Sequence, residues 1–373
     1  MESDLINKKR LLESFLNYVR IDSETGNEKE MAELLVKELT EIGCETSFDN
    51  AGELLGCNAG NLYCVMNGCP ELEPLLLCAH MDTVKPGCGI EPVIENGIIR
   101  SRGNTVLGGD DKAGVAAIVE TLRTIHENAL SHPTIEAVFT IHEEGGLLGS
   151  KHLNYGKIRS KKAAVLDSGG APGKIITSAS GQVKLNVTVH GKSAHAGVSP
   201  EQGISAIQTA ADAISRMQLL RIDEETTANI GTIKAEYATN IVPDTAFIAG
   251  EARSLDNRKL DEQAAHMMKC IGESCKKYGA AFSGGIERSY AGYKLDEDDS
   301  WIQEIKTACE KTALPVVTAA SGGGSDANHM NQHGIKAVPL GTGTTKVHSA
   351  EEELAVIHLE QTAELVLALA TAL

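Results

Sequence analysis

The stretch that decides the fold is residues 137–150, AVFTIHEEGGLLGS, in which a short apolar run ends in two adjacent glutamates. Residues 137–141 form a continuous apolar run of the length expected for a strand buried on both faces. Glu143 and Glu144 follow after one histidine, and a glycine pair comes next. Because neighbouring carboxylates repel, the two glutamates are either solvated loop residues or lie where something attracts negative charge.

The composition is that of a soluble globular protein with room for two domains. The chain has 373 residues, of which 42% are hydrophobic and 23% charged, and this length exceeds one ordinary core. Its net charge of −17 argues against nucleic acid or an anionic membrane as a partner. No run approaches the roughly 20 apolar residues that a membrane span needs.

Two features of the sequence indicate a cytoplasmic location. The opening segment, MESDLINKKRLLESFLNYVR, has no long apolar stretch behind its basic residues, so it does not resemble a signal peptide. The nine cysteines are an odd number without a C-x-x-C pair, which indicates reduced thiols rather than disulfides or a cysteine-ligated zinc. We therefore expect a cytoplasmic protein.

Five more apolar runs resemble the one at 137–141 and predict further strands of the same sheet. They are LYCVM (62–66), LLLCA (75–79), AAVL (163–166), PVVT (315–318) and AVPL (337–340). Helical periodicity lies between them, as in residues 112–127, and residues 92–100 predict a hairpin with Asn96–Gly97 at its turn. The alternation predicts an α/β fold with a mostly parallel sheet buried on both faces and flanked by helices.

The pattern changes at residue 181 and indicates an inserted domain. In residues 181–192, GQVKLNVTVHGK, apolar and polar residues alternate, which is typical of an antiparallel strand with one solvated face. The following segments continue in the order β-α-β-β-α-β, a split βαβ unit of ferredoxin-like type. We therefore predict a larger α/β domain, residues 1–180 and 294–373, interrupted by a small α+β domain over 181–293.

Polar side chains lie at the ends of five of the predicted structural segments. They are His80 and Asp82 after the run at 75–79, Asp110 and Asp111 before the helix at 112–127, Glu143 and Glu144, Asp167, and His348. In an open parallel sheet, strand ends of one direction share one edge, and ligands bind there. We therefore expect two histidines and several carboxylates to converge on one crevice.

That many carboxylates in one crevice would repel one another by several kcal/mol, and a bound divalent cation removes the repulsion. Imidazole and carboxylate ligands without cysteine suit Zn²⁺, and Mn²⁺ or Co²⁺ can substitute. Two metals about 3.5–4 Å apart need about one histidine and one carboxylate each, plus a bridging carboxylate. The residues that follow the strands match that requirement.

Each of these residues also has a plain structural interpretation. Asp110 or Asp111 can cap a helix, His80 can be a core histidine, Glu143 and Glu144 can be loop charges, Asp167 can belong to a turn, and His348 can pair with the acidic run at 351–353. That run itself resembles a solvated helix start. Their occurrence together at five segments favours the metal site.

The sequence also resembles a known enzyme family over nearly its whole length. The matching segments are CAHMDTV (78–84), LGGDDKAG (107–114), IHEEGGLLGS (141–150), VLDSGG (165–170), GKSAHAG (191–197), ATNIVPD (238–244), GEARSLD (250–256) and SGGGSDANHM (321–330). In this order they resemble the dinuclear-zinc metallopeptidase family of peptidase T, glutamate carboxypeptidase and succinyl-diaminopimelate desuccinylase, and most closely its peptidase T-like branch. The resemblance implies a zinc-exopeptidase-like catalytic domain and an inserted domain that acts as lid and dimerisation domain.

The resemblance implies a role for each residue of the crevice. His80 and Asp167 would hold one metal ion, Glu144 and His348 the other, and Asp110 would bridge the two. Asp82 would orient the imidazole of His80. Glu143 would be the general base that acts on the metal-activated water. The peptide bond between Asp110 and Asp111 would be cis.

The resemblance also implies functional residues in and near the inserted domain. His195 would stabilise the oxyanion of the tetrahedral intermediate, in its own or the partner subunit. Asn240 and Arg253 would bind the substrate backbone or carboxylate, and Gly324 and Ser325 would offer backbone donors to a substrate terminus. The plain interpretations are an exposed turn histidine, a charge on a strand surface and a structural loop.

These inferences combine into one expected activity. We expect a cytoplasmic, homodimeric exopeptidase with two divalent metal ions, most plausibly Zn²⁺, that removes the N-terminal residue from short peptides in the manner of a tripeptide aminopeptidase. An amidohydrolase that deacylates N-acyl amino acids and a non-catalytic peptide-binding relative are the alternatives.

Overall fold

The computed structural model describes residues 5–371, which divide into two compact units. The first unit runs to Thr177, includes Leu295–Ala320 and resumes at Ser325, and the second holds Ser178–Lys294 and Ser321–Gly324. Each unit has its own hydrophobic core.

Helices account for much of both units. The α-helices in the described residues are α1 (Lys8–Tyr18), α2 (Lys29–Ile42), α3 (Ala51–Leu55), α4 (Gly109–Asn128), α5 (Leu148–Lys151), α6 (Ala206–Arg216), α7 (Asn257–Tyr278), α8 (Ser300–Lys311), α9 (Asp326–Gln332) and α10 (Val356–Ala370). Short 3₁₀ helices lie at Tyr155–Lys157 and Pro200–Gln202. Across residues 5–371, no helix combines the length and apolar character needed to cross a membrane.

The strands form three sheets. They are β1 (Glu45–Phe48), β2 (Leu62–Met66), β3 (Leu75–His80), β4 (Pro92–Glu95), β5 (Ile98–Ser101), β6 (Ile135–Thr140), β7 (Lys162–Ser168), β8 (Lys174–Ala179), β9 (Gly181–His190), β10 (Leu220–Arg221), β11 (Thr226–Lys234), β12 (Thr245–Ser254), β13 (Ala281–Tyr290), β14 (Tyr293–Lys294), β15 (Val317–Ser321), β16 (Lys336–Gly341), β17 (Thr344–Thr345) and β18 (Glu353–Ala355).

The main sheet of the first unit has the order β1-β2-β6-β3-β7-β16-β8. Its four central strands, β6, β3, β7 and β16, run parallel. Every residue of β3 and β6 is buried, which explains why their sequences are continuous apolar runs rather than alternating ones. Helix α4 packs on β3 and β7, and α1 and α10 pack on α4. The predicted α/β fold, a mostly parallel sheet flanked by helices, is confirmed.

One predicted buried strand is wrong. The run at 315–318 was expected inside the sheet, but the strand there is β15, which starts at Val317 and pairs with β8 off the main path. The side chains of Val316 and Val317 are exposed. A short run of β-branched residues fits a partly solvated edge position as well as a buried one, so apolar character alone did not separate the two.

A small four-stranded sheet, β17-β18-β5-β4, carries the predicted hairpin. Strands β4 and β5 are joined by Asn96 and Gly97, both at positive φ, as a tight two-residue turn requires. Strand β18 pairs antiparallel with β5. This pairing fixes the chain just after the segment 348–352, which contributes to the site described below.

The second unit is built on one antiparallel sheet, in the order β10-β11-β12-β9-β13. In β9 the apolar residues are buried, whereas Lys184, Asn186 and His190 are exposed, as the alternation predicted. Helices α6 and α7 pack together and against this sheet. With the two-residue β10 set aside, the order is that of a split βαβ unit.

Candidate metal centre

Five segments of the first unit bring polar side chains together at the carboxyl ends of the parallel strands. Three groups have ligand atoms that all lie within 4.8 Å of one another: His80, Asp110 and Asp167; His80, Glu143 and Glu144; and Asp110, Glu144 and His348. Each of the five residues predicted as metal ligands belongs to at least one of these groups, and Glu143 shares a group with His80 and Glu144.

Asp110 lies between the two imidazoles. Its Oδ1 atom is 3.4 Å from His80 Nε2, and its Oδ2 atom is 3.5 Å from His348 Nε2. His80 Nε2 is also 3.9 Å from Asp167 Oδ1, and His348 Nε2 is 2.8 Å from Glu144 Oε1. One carboxylate oxygen of Asp110 faces each histidine, which is the arrangement that a bridging ligand needs.

The donor set fits divalent metal ions. His80 Nε2 is buried and has no hydrogen-bond partner within residues 5–371, although an imidazole nitrogen in a protein interior normally has one. Imidazole nitrogens and carboxylate oxygens without thiolate are the ligands of Zn²⁺, Mn²⁺ and Co²⁺ sites. His80 Nε2 is therefore directed at a position where a cation would complete its bonding.

Asp82 lies behind the imidazole of His80 and contacts it through both its backbone carbonyl oxygen and its carboxylate. His80 Nδ1 is 2.9 Å from the backbone carbonyl oxygen of Asp82 and 3.5 Å from its carboxylate. The carboxylate, 0% exposed, accepts hydrogen bonds from the backbone N–H of Glu143 (3.0 Å) and of Glu144 (3.1 Å). Asp82 thus positions both the histidine and the two glutamates.

The chain leading to the glutamates is held by two more buried side chains. Asn61 Oδ1 accepts from the N–H of Ile141 at 3.1 Å, and Glu28 Oε1 accepts from the N–H of His142 at 3.1 Å. Together with Asp82, they bind four consecutive backbone N–H groups, residues 141–144. Neither Asn61 nor Glu28 was predicted from the sequence, in which Glu28 is one of several acidic residues before α2.

The glycine after Glu144 makes room for an imidazole. A Cβ atom on Gly145 would lie 1.9 Å from the ring of His142, so a side chain there would displace that ring. His142 itself has a φ of 52°. Glycine at position 145 therefore leaves the space that the His142 ring occupies.

Asp110 and Asp111 have different roles at the start of α4. Asp111 is buried, and its carboxylate accepts hydrogen bonds from the N–H of Gly114 (3.2 Å) and of His80 (3.3 Å). The capping interpretation therefore applies to Asp111, and Asp110 faces the imidazoles. The expected cis peptide bond between them is present.

The expectation for the acidic run at 351–353 is wrong at Glu352. This side chain is 2% exposed, and it accepts hydrogen bonds from the N–H of Gly108 (2.8 Å) and of Asp110 (2.9 Å). Residues from 353 onward form β18, and α10 begins only at Val356. A run of like charges usually lies in solvent, but here the glycine turn 108–109 covers its middle member.

The electrostatics of the cluster follow from burial and crowding. Burial, reinforced by neighbouring carboxylates, raises the pKa of Glu143 and of Asp167 well above the usual value. Burial alone would lower the pKa of His80, but Asp110 and Asp82 outweigh it and raise that pKa. Hydrogen bonding to Asp110, then to Glu144, raises the pKa of His348 to about 10. Negative charge therefore exceeds what the histidines neutralise, and a divalent cation would offset the excess.

One further buried carboxylate lies below the cluster and was not predicted. Asp326, at the start of α9, is 1% exposed and accepts a hydrogen bond from Thr140 Oγ1 at 2.5 Å. Thr140 is the last residue of β6, directly before the turn to Glu143. Asp326 thus ties the end of β6 to α9.

The other predicted functional residues lie outside the three ligand groups. His195 and Asn240 are exposed neighbours in the second unit, where the N–H of Ala196 donates to the carbonyl oxygen of Asn240 at 2.8 Å. Arg253 lies on β12, and its Nε and Nη2 atoms donate to the carboxylate of Glu251 at 2.9 and 3.2 Å. Their roles in substrate binding remain predictions.

Gly324 and Ser325 have structural contacts of their own. A Cβ atom on Gly324 would lie 2.4 Å from the ring of Tyr290, so the residue must be small. Ser325 caps α9: its hydroxyl accepts from the N–H of Ala327, and its own N–H donates to Asn328 Oδ1 at 3.0 Å. The structural interpretation therefore holds for this loop, and contact with substrate remains a prediction.

Comparison with known proteins identifies the family of this chain. The model of the peptidase family M20/M25/M40 matches residues 76–372. The uncharacterized protein YqjE of Bacillus subtilis is 42% identical over 365 residues, which cover 98% of each chain.

Two solved structures resemble the whole chain. The aminopeptidase PepT of Bacillus cereus is 42% identical with a TM-score of 0.91, over 98% of this chain and 99% of that one. A tripeptidase of Staphylococcus aureus is 37% identical with a TM-score of 0.94, over 99% of both chains. The predicted resemblance is confirmed, and the chain belongs to the peptidase family M20/M25/M40.

Proposed function

We propose that this peptidase is a metal-dependent exopeptidase that hydrolyses the N-terminal peptide bond of short peptides, with tripeptides as its main substrates. The observation that carries the proposal is the position of Asp110, with one oxygen toward His80 and the other toward His348. The aminopeptidase and the tripeptidase that resemble this chain over their full lengths support the substrate class.

The ligands divide into two sets that share Asp110. His80 and Asp167 would hold one divalent ion, and Glu144 and His348 the other, with Zn²⁺ as the proposed metal and Mn²⁺ or Co²⁺ as substitutes. When bound, two such ions supply the charge that activates a water molecule and polarises the scissile carbonyl group.

Glu143 is the proposed general base. Its backbone is fixed by Asp82, while its side chain, which is not needed as a ligand, stays available for proton transfer. The carboxylate takes a proton from the attacking water and returns it to the nitrogen of the leaving amine.

Except for Ser325, which belongs to the first unit, the second unit supplies the proposed substrate contacts. His195 stabilises the oxyanion, Asn240 and Arg253 bind the substrate backbone or carboxylate, and backbone donors at Gly324 and Ser325 bind a terminus. A substrate carboxylate would compete with Glu251 for Arg253. This unit would also act as the lid and join two copies into a homodimer, and the enzyme would work in the cytoplasm.

A substrate panel tests the proposal. The protein is stripped with a chelator, reloaded with Zn²⁺, Mn²⁺ or Co²⁺, and assayed with free dipeptides, free tripeptides, N-blocked tripeptides and N-acyl amino acids. We expect metal-dependent release of the N-terminal residue, fastest from free tripeptides. Preference for blocked peptides or N-acyl amino acids would contradict the aminopeptidase assignment, and activity indifferent to chelator would contradict the metal site.

A further inference from the structure

We propose that Glu352 is a positioning residue for the metal centre, because it fixes the main chain of the turn that carries Asp110. The inference rests on the proposed function, in which Asp110 bridges two metal ions. Glu352 is 2% exposed and binds the backbone N–H of Asp110.

Both carboxylate oxygens of Glu352 are used on this turn. Oε2 accepts from the N–H of Gly108 at 2.8 Å, and Oε1 accepts from the N–H of Asp110 at 2.9 Å. A charged acceptor forms hydrogen bonds about twice as strong as neutral ones, and at 2% exposure water hardly competes for it. The two bonds hold the backbone on either side of Gly109 and so limit rotation of the turn.

The turn at Gly108 and Gly109 packs closely against the side chain of Glu352. A Cβ atom on Gly109 would lie 3.2 Å from Glu352 Oε1 and 3.1 Å from Thr344 Cγ2, and Gly108 has a φ of 68°. A Cβ atom at position 109 would therefore have to displace one of these two side chains slightly.

The segment that carries Glu352 also carries a predicted ligand. His348 contacts the carboxylate of Asp110, and Glu352, four residues later, binds the backbone N–H of Asp110. Within the segment, the N–H of Glu352 donates to the carbonyl oxygen of Ser349 at 3.0 Å. Directly after it, β18 pairs with β5. One anchored segment thus holds Asp110 by its side chain and by its main chain.

The consequence is a shared effect on both metals. If Glu352 no longer binds the turn, the Asp110 carboxylate loses its fixed orientation between the histidines, and a bridging ligand serves both ions. Loss of a residue that supports a metal ligand typically lowers metal affinity or activity about 10–100-fold. We expect that decrease in metal affinity and in kcat, with KM changed much less because no substrate contact is removed.

The test compares Glu352→Gln with Glu351→Gln in the full-length protein. Glutamine keeps the shape but places an NH₂ group against a backbone N–H, whereas Glu351 is exposed and its change removes the same charge. Affinity for Zn²⁺ is measured by chelator competition, and the Co²⁺-loaded protein gives an absorption spectrum that reports ligand geometry. We expect weaker binding and an altered spectrum for Glu352→Gln alone.

Equal affinity and equal spectra in the two variants would overturn the inference. If Glu352→Gln does not fold, Glu352→Asp decides, because its shorter side chain cannot reach both N–H groups; unchanged affinity in that variant would likewise overturn the inference. The Zn²⁺ affinity of the unaltered protein distinguishes failure of this inference from failure of the proposed function. If the unaltered protein binds no metal tightly, the proposed function itself is rejected.

Discussion

In the first unit, His80 and Asp82 are 1% and 0% exposed, whereas in the second unit His195 and Asn240 lie on the surface. The buried pair is held by several neighbours: Asp82 alone accepts from two backbone N–H groups and from Thr25 Oγ1 at 2.8 Å. The exposed pair is joined through the backbone of a turn. The two sets of predicted functional residues are therefore fixed to very different degrees.

The difference indicates a division of labour. Groups that stabilise developing charge work best when they are fixed in advance and shielded from water, since reorganisation then costs little during the reaction. Groups that receive a peptide must be accessible before it binds. Substitutions in the buried set should change metal binding or kcat, and substitutions in the exposed set should change KM. Three predictions test this comparison.

The largest effect is expected at Glu143. Glu143→Ala should keep its metal, because the ligands are other residues, and should lose about 10²–10⁴-fold in kcat with the loss of general base catalysis. Metal content by elemental analysis and steady-state kinetics on a tripeptide measure both quantities. Glu53→Ala, an exposed glutamate on α3, is the control. Near-normal turnover, or loss of metal together with activity, would remove Glu143 from the role of base.

A smaller effect is expected at Arg253. If its guanidinium binds a substrate carboxylate, Arg253→Ala should raise KM about 10–100-fold, because a hydrogen bond to a charged group contributes about 1.5–3 kcal/mol. The metal content should stay unchanged. Arg258→Ala is the matched control, since this arginine lies in the first turn of α7 in the same unit and its side chain is 86% exposed. A loss confined to kcat, or equal KM values in the two variants, would break the proposed division.

Most of the fold could be predicted because it depends on local patterns. The runs at 75–79 and 163–166 are strands of the parallel sheet, and residues 112–127 lie within α4. Proximity of the predicted metal ligands also followed from one general rule, that parallel strands ending in the same direction share an edge. The run at 315–318 failed because edge strands carry no distinct apolar pattern.

The supporting carboxylates could not be predicted in the same way. Glu28 binds the N–H of a residue 114 positions away, and Glu352 binds one 242 positions away. Such contacts depend on the tertiary fold, and an acidic residue that accepts backbone hydrogen bonds has the same sequence signature as one in solvent. Glu352 lies in a run of three glutamates, of which only the middle one is buried.

The smallest effect concerns a buried histidine outside the ligand groups. His329 on α9 is 4% exposed, and burial, with a contribution from Lys151, lowers its pKa to about 4. In the unfolded chain this pKa is about 6.5, so between these values the unfolded state binds more protons. The free energy of unfolding should therefore decrease as pH falls below about 6.5.

Lowering the pH from about 7.5 to 5.5 should cost about 1 kcal/mol through His329. Urea unfolding of the chelator-treated protein, followed by the fluorescence of the single tryptophan, Trp301 in the first unit, measures it. His329→Gln should flatten this part of the pH dependence, whereas His195→Gln, at an exposed position, should leave it unchanged. Equal pH dependence in the two variants would mean that burial does not lower the pKa of His329, and the contrast between the two regions would then rest on metal binding alone.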